Sequence, residues 1–524
     1  MVVVTRQHEE RIFPLNNAPL SPEEDTVVPL SLLDATTANF SVTGAIWFLE
    51  KAEDGHGNRH ELNERLKGAL AITLKSYPQC AGRLELVPYD EGRQFGRLQI
   101  RFNCLQDPGV DFLTAESHDT LDDLISRDLC HAPYKDMHRL ELNAFTPPTE
   151  LAAPLRDDPN AIKPAMAVQM TQLACGGTVL AVKMAHPLGD AHTLATFVND
   201  WARVSRAIAA NSPLPNLSPL FDPSRLDTLA AGDVKKPESD SDIIQAALNL
   251  PLHRYDWWTS ADGCPWPIEP PGPFKSQSLK PAGNPMPWSE WDVSAPVSHF
   301  VLHFTPAQVQ TLHAAASSQG APKISTHDAV LAHIWSGISR ARHADRGIAH
   351  GPVHCDLVYG LRDRLCLGAD FVGCPHVMLD VAMEASIARQ TDIAPLASAI
   401  RSTLTKITRD GLKAHLHSIA YEDSPQRLWQ AFLGDRHILV TSWAQNQVYT
   451  ADFGTGLVPR YVEAIMPDMD GTIQIKQGST RDFEARTSVA PDDAQPWYKH
   501  GVDVSLHLRS SVMEKLLEDT SLFP

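Results

Sequence analysis

No run of about 18 consecutive apolar residues occurs in the 524-residue sequence, so a membrane-spanning helix is not expected. Positive charge is also scarce: 45 Lys and Arg stand against 63 Asp and Glu, and nowhere do five or more basic residues cluster. With a formal net charge of −18 a nucleic-acid partner is not expected, whereas a small anionic ligand needs only a local positive patch. The eight cysteines (Cys80, Cys104, Cys130, Cys175, Cys264, Cys355, Cys366 and Cys374) form no C-x-x-C pair and no zinc-like spacing. A reducing compartment fits, with most of these thiols acting as small buried hydrophobes. The opening residues, MVVVTRQHEERIFPL, lack the apolar core of a secretory signal, and a cytoplasmic protein is expected. Neither a short-period repeat nor a G-x-S-x-G nucleophile elbow is present.

What is present is the composition of a soluble globular protein, 43% hydrophobic and 21% charged, long enough for two domains of about 200 residues each plus connections. Leu62, Leu66, Leu70 and Leu74 fall at helical spacing within residues 61–77, and Pro78 stops the run. RLELVPYDEGRQFGRLQIRFN and AMAVQMTQLACGGTVLAVKMA each read as a β-hairpin, the second with Gly176-Gly177 to supply positive φ angles. Its second strand ends at His186. After the turn, Leu194, Phe197, Val198, Trp201 and Val204 mark an amphipathic helix. Residues 207–290 hold fourteen of the forty prolines together with Trp257, Trp258 and Trp266, as a connection that packs on a surface would. Order resumes with SHFVLHF as a strand, PAQVQTLHAAA as a helix, and PKISTHDAVLAHIWSGISRAR as a helix opened by Ser325 and Asp328 in capping-box spacing. Mixed strands and helices in both halves indicate α/β layers.

The pattern H-x-x-x-D occurs three times, at His118/Asp122, His186/Asp190 and His376/Asp380, where roughly one or two chance matches are expected. His118 sits at a charged, exposed helix start, and His376 at a strand end where a structural role is the simpler reading. His186 alone follows a buried-looking strand, sits on a Pro-Leu-Gly turn and precedes a strongly amphipathic helix. A metal held by His186, Asp190 and His192 would need a partner cluster that the sequence does not offer, so no metal is expected there. The His/Asp part of a hydrolase triad would need the missing serine elbow.

HPLGD at 186–190, followed far downstream by VTSWAQNQVYTADFGTG at 440–456, resembles the paired H-x-x-x-D and D-F-G-W-G motifs of the BAHD acyltransferases, particularly fungal members similar to trichothecene acetyltransferases. PLSLLD, SYPQCAGRL, ISTHDAVLAHIW, YGLRDRL and the final GVDVSLHLRSSVMEKLLED fall in the family's order. The resemblance implies two chloramphenicol acetyltransferase-like α/β domains of mixed sheet, here 1–206 and 291–524, joined by the crossover 207–290, with a tunnel between them. It implies an acyl-CoA co-substrate, no permanently bound cofactor, a small alcohol or amine acceptor, secondary-metabolite chemistry, and a monomer. It makes His186 the base, with Trp443 and Thr441 as donors to the oxyanion, although by residue type alone Trp443 reads equally as a core aromatic. Asp190 turns away from substrate to pair with an arginine, best matched by Arg362, with Arg364 as the alternative; as a rival or additional role it caps the following helix. Asp452, Gly454 and Gly456 support the CoA channel, and Ser325, Thr326 and Ser442 are the expected CoA contacts. Departures from the pattern are Ala191 for glycine, Thr455 for tryptophan, and Cys374 within VGCP where Gly-Asn is frequent.

The chemistry supports the same role independently. A neutral imidazole can take the acceptor's proton as its oxygen attacks the thioester, typically worth about 10²- to 10⁴-fold. Because a thiolate leaves readily, positioning and oxyanion stabilisation supply most of the rest, and no enzyme nucleophile is required. Two further readings stay open on sequence alone: a relative that uses His186 for cyclisation or condensation, and a non-catalytic small-molecule-binding protein with the same fold.

Overall fold

Period-two strands and helices with one apolar face sort into two layered halves in the computed structural model, which describes residues 2–15, 25–39, 42–51, 59–90, 94–126, 132–158, 160–259, 263–265, 269–275, 277–317, 323–479 and 496–524. One sheet has six strands, in the order Val4–Ile12, Val110–Ser117, Met166–Gln172, Thr178–Met184, Thr43–Leu49 and Tyr461–Ala464. The other has seven: His376–Glu384, Pro352–Gly360, His437–Ser442, Thr472–Gln477, Val502–Arg509, Val297–Phe304 and Tyr134–Asp136. Both sheets are mixed, as expected: Val110–Ser117 runs parallel to Met166–Gln172, and His437–Ser442 runs parallel to both its neighbours.

The sheets do not divide at a single point in the chain. Tyr461–Ala464, from the second half, pairs with Thr43–Leu49 at the edge of the first sheet, and Tyr134–Asp136, from the first half, pairs with Val297–Phe304 at the edge of the second. The halves are therefore interlocked by an exchanged edge strand each.

The first sheet buries Phe112, Val168 and Val182 against Leu66 and Leu70 of the helix Arg59–Thr73 and against Leu194, Phe197 and Trp201 of the helix Ala191–Ala209. The second sheet buries Cys355, Leu357, Ile438, Val440, Ile473 and Leu506 against Ile334, Trp335 and Ile338 of the helix Thr326–Arg346. Because side chains alternate along a strand, the register puts His354, Asp356, His437, Thr441, Gln474, Lys476 and Ser505 together on the opposite face. That face is polar, and the ion pair between Lys476 and Glu463 of the exchanged strand links it to the first sheet. A sheet with one dry and one polar face leaves room for polar ligands between the halves.

Both expected hairpins form, Arg83–Leu86 with Leu98–Phe102 and Met166–Gln172 with Thr178–Met184. The second has a longer loop than a tight turn, and of its two glycines only Gly176 has positive φ, 86°. The crossover packs rather than hangs. Leu220 bridges to Phe371, Tyr255–Asp256 pairs with Leu428–Trp429, and Trp257 and Trp291 pack on a cluster with Trp288 and Phe432. Trp258 is buried, whereas Trp266 lies outside the described residues, as does Cys130. The described cysteines are free, and only Cys80, Cys355 and Cys374 are buried, fewer than expected. Among the described residues no helix is long and apolar enough to cross a membrane.

Candidate active site

The strand Thr178–Met184, buried except at Lys183, ends in a single 3-10 turn, His186–Leu188. Gly189 follows in extended backbone (φ −178°), so its glycine character answers a space requirement rather than a strained dihedral. A Cβ there would lie 2.5 Å from Thr193 Cγ2 and 2.8 Å from Met184 Sδ. Asp190 then caps the helix Ala191–Ala209, its Oδ1 accepting from Thr193 N–H at 2.9 Å. Both roles weighed for Asp190 coexist. Arg362 Nη1 donates to Oδ2 at 2.6 Å and Nη2 to Oδ1 at 2.9 Å, a two-pronged pair across the two halves. Burial alone would raise the Asp190 pKa, but Arg362 and the Thr193 N–H hold it well below the carboxylate range. The alternative partner, Arg364, donates instead to Tyr359 Oη at 2.9 Å.

The lock extends past this pair. Gly373 O accepts from Thr193 Oγ1 (3.0 Å), Arg362 Nη2 (3.2 Å) and Asp190 N–H (3.2 Å). Gly373 has φ 141°, a conformation open to glycine, and its carbonyl is thereby aimed at the turn. Asp34 of PLSLLD accepts from Cys374 N–H at 2.7 Å, tying the amino-terminal segment to the same loop. Burial raises the Asp34 pKa to about 6.

His186 is thus held on a turn fixed from three directions. Burial, then the neighbouring His376 ring, lowers its pKa to about 4, so the imidazole is neutral at physiological pH. The His376 ring centroid lies 5.8 Å away, and its Nδ1 is buried with no hydrogen-bond partner among the described residues. The sequence pattern could not separate this histidine from a strand-end residue, because only the fold brings it beside His186. His118 is exposed, and His192 directs Nε2 to Ala369 O at 2.7 Å, so His186, Asp190 and His192 do not converge on a metal.

Cys374 presents a second pairing. Its sulfur lies 3.5 Å from His186 Nδ1 and its S–H donates to His186 O at 2.8 Å. A thiol–imidazole pair is the layout of a cysteine nucleophile, but only the thiolate attacks. Burial, then the Asp190 and Asp34 carboxylates, pushes this thiol well above its usual range, and it stays protonated.

Thr441 and Ser442 end the parallel strand His437–Ser442, a position where α/β sheets place ligands. Thr441 is half-buried on the polar face and registers with Gln474, which is 1% exposed and whose amide nitrogen and oxygen both lack a protein partner among the described residues. Nothing in TIQIKQ separates Gln474 from an ordinary strand residue. Trp443 is 4% exposed and packs in the cluster of Met184, Leu194 and Val372, so its ring is part of the core. The three expected CoA contacts gather around one helix end. Ser325 is the N-cap in a full capping box with Asp328, which commits its hydroxyl to the Asp328 N–H. Thr326 Oγ1 accepts from Trp497 Nε1 at 3.2 Å, and Ser442 Oγ is 3.0 Å from His327 Nε2. The Asp328 carboxylate pairs with Arg401, which offsets a negative charge that would otherwise oppose an anion there.

Asp452 and its glycines are placed elsewhere. Asp452 Oδ1 accepts from the N–H groups of Gly454 (2.9 Å), Thr455 (3.0 Å) and Gly456 (3.2 Å), with φ 94° and 76° at the glycines. Ser205 and Arg206 at the far end of the histidine helix hold the Asp452 and Phe453 carbonyls, and Phe453 stacks edge-on to Trp201 at 5.2 Å. Since Ala191–Ala209 is about 28 Å long at 1.5 Å per residue, this loop braces the helix a long way from His186.

A model of the Transferase family matches residues 2–247 and 290–522. "Acyltransferase AFT15-1" of Alternaria alternata is 24% identical over 479 residues, 88% of this chain and 87% of that protein. "Acyltransferase abl6" of Leptosphaeria maculans is 24% identical over 516 residues, 95% and 94% of the two chains. Among solved structures, F. graminearum TRI101 complexed with ethyl coenzyme A is similar in fold at TM-score 0.67 and 17% identity, covering 95% of this chain and 98% of that one. Vinorine synthase is similar at TM-score 0.64 and 19% identity, covering 99% and 98%. The architecture is thus that of chloramphenicol acetyltransferase-like two-domain enzymes, and the chain belongs to the Transferase family as a BAHD acyltransferase.

Proposed function

We propose that the protein moves an acyl group from an acyl-CoA thioester directly to the hydroxyl or amine of a small secondary-metabolite acceptor, with His186 as general base. The observation that carries this reading is the neutral, half-buried imidazole on a turn locked by Asp190, Arg362 and Gly373 where the two halves meet. His186 takes the proton of the attacking hydroxyl or amine as its oxygen or nitrogen bonds to the thioester carbon. The carbon–sulfur bond then breaks and the proton passes to the departing CoA thiolate. Thr441 Oγ is our first donor for the tetrahedral oxyanion, with the Trp443 indole beside it on the same strand end. Gln474 offers a further amide from the same face. The helix end formed by Ser325, Thr326 and His327 with Ser442 is our site for part of CoA, because free N–H groups favour anions. Asp190, Arg362, Asp452, Gly454 and Gly456 act through geometry. The units 1–206 and 291–524 each supply one wall, in a monomeric cytoplasmic enzyme. The reading is supported by relatives named as acyltransferases and by F. sporotrichioides TRI101, solved with coenzyme A and T-2.

Purified protein given a panel of acyl-CoA esters and candidate acceptors is expected to release free CoA thiol with matching acylated product. His186→Ala is expected to lose turnover by about 10²-fold or more while retaining its circular dichroism spectrum. Ligand binding without thiol release would favour the non-catalytic reading, and product without an intermolecular acceptor would favour cyclisation.

A further inference from the structure

On the polar face of the second sheet, away from His186, three imidazoles and two carboxylates converge from four segments of the chain. Asp356 and Asp380 are direct cross-strand partners, so two like charges face each other, an arrangement that is destabilising unless a cation sits between them. His253, carried in from the crossover, reaches that position. Its Nε2 is 3.1 Å from Asp356 Oδ1 and 3.4 Å from Asp380 Oδ1. His354 Nδ1 is 2.8 Å from Asp380 Oδ1, and His437 Nδ1 is 3.0 Å from Asp356 Oδ2. Pro251 O accepts from Asp380 N–H at 2.8 Å, which fixes the crossover against the edge strand two residues before His253.

Two atoms of this cluster meet without an aligned hydrogen bond. Asp356 is fully buried and its Oδ2 already accepts from Phe432 N–H (2.8 Å) and His437, while its Oδ1 faces His253 Nε2 at 3.1 Å, an ion-pair distance at which neither atom makes an aligned hydrogen bond among the described residues. Buried polar atoms are ordinarily paired with good geometry, and here His253 is held by charge alone between two carboxylates. We propose that His253 Nε2, His354 Nδ1 and Asp380 Oδ1 form a three-ligand binding site for a divalent transition metal of the zinc class.

Five considerations support the assignment. The ligand atoms of His253, His354 and Asp380 all lie within 4.8 Å of one another. A tetrahedral zinc ion with bonds of about 2.0–2.1 Å spaces its ligands about 3.3 Å apart, and the separations of 2.8 Å from His354 to Asp380 and 3.4 Å from His253 to Asp380 need only small adjustments. Imidazole and carboxylate together suit zinc, cobalt or nickel better than calcium or magnesium, which prefer oxygen alone. Side-chain exposures of 11% at His253, 16% at His354 and 21% at Asp380 leave a route for the ion, while Asp356 and the stacked His437 (4.5 Å from the His354 ring) close the far side. In the metal-free protein a protonated His253 sits between the two carboxylates, and a divalent ion would displace that proton and neutralise both charges. Its effect would be structural, pinning the proline-rich crossover to the edge of the sheet. This site stands apart from the acyl-transfer reading and does not depend on it.

The test uses the untagged full-length chain, stripped with a chelator and titrated with cobalt(II) and then zinc(II). One equivalent of cobalt giving the visible bands of a tetrahedral site, displaced by zinc, together with a zinc-dependent rise in Tm, is the expected result. Asp380→Asn and His354→Ala, each checked for native circular dichroism, should weaken zinc binding by roughly 10- to 100-fold or more and abolish the rise in Tm. His118→Ala, at an exposed position, should change neither. No uptake by the wild type, or uptake equal in wild type and in the two ligand variants, would overturn the proposal. His354→Ala serves where Asp380→Asn fails to fold, because it leaves both carboxylates in place with His253 between them.

Discussion

Lowering the pH should leave acyl transfer almost untouched across the range where an ordinary histidine base would fail. Burial and then the adjacent His376 bring His186 to about 4, against about 6.5 for an unperturbed imidazole. At pH 5.5 a base of pKa about 4 is about 97% neutral, whereas one of pKa 6.5 is about 9% neutral, a difference of about tenfold. The measurement is kcat/KM for an acceptor bearing a non-ionising hydroxyl, followed by CoA thiol release between pH 4 and 8, since kcat/KM reports groups of the free enzyme. Less than a twofold fall between pH 7.5 and 5.5 is expected, with the acid limb near pH 4. His376→Gln removes the neighbouring imidazole and should move that limb upward. Folding has to be followed in parallel. A histidine whose folded pKa lies below its unfolded value costs stability as pH drops from about 6.5 to about 4, because the unfolded chain takes the proton first. An acid limb centred near pH 6.5 in fully folded wild-type enzyme would refute the reasoning.

Three further outcomes follow from the same geometry. Arg362→Ala leaves Asp190 buried without its two-pronged partner and should cost about 3–5 kcal/mol in chemical denaturation, with a fall in kcat. A loss below 1 kcal/mol would mean the pair does not hold the turn. Gly454→Ala should destabilise more than Gly456→Ala. Both carry positive φ, worth roughly 1–3 kcal/mol of strain, but only at Gly454 would the added Cβ meet Ala209 Cβ, at 2.9 Å, while at Gly456 nothing lies within 4 Å. Equal unfolding midpoints would contradict this. Cys374→Ala should keep most of the turnover and show no acyl-enzyme by mass spectrometry; loss of activity with intact fold would instead make this thiol the nucleophile.

Much of the site's frame was legible in the sequence because it is local. The alternation of TVLAVKM, the Pro-Leu-Gly turn, the helix spacing from Leu194 to Val204 and the Ser325–Asp328 capping box each specify structure within a few residues, and each formed. The pairing of Asp190 with Arg362 was implied by the family resemblance, not by local physics. What stayed hidden depends on long-range register. The exchanged strands Tyr461–Ala464 and Tyr134–Asp136 are too short to show a period. The contact between His376 and His186, the Gln474 amide without a partner among the described residues and the convergence of His253 on Asp356 and Asp380 all arise from segments that neighbour one another only in the folded chain. Trp443 carries two readings, an indole N–H donor from the resemblance and a core aromatic from its residue type, and its ring packs in the core.

A crystal structure of the enzyme with CoA and an acceptor alcohol would test the central assignment most directly. An imidazole nitrogen of His186 is expected within hydrogen-bond reach of the acceptor oxygen, roughly 2.6–3.2 Å, with the CoA sulfur on the opposite side of that oxygen. Both ligands bound with their reacting atoms far from His186, in an enzyme that turns over in the same crystals, would contradict the account.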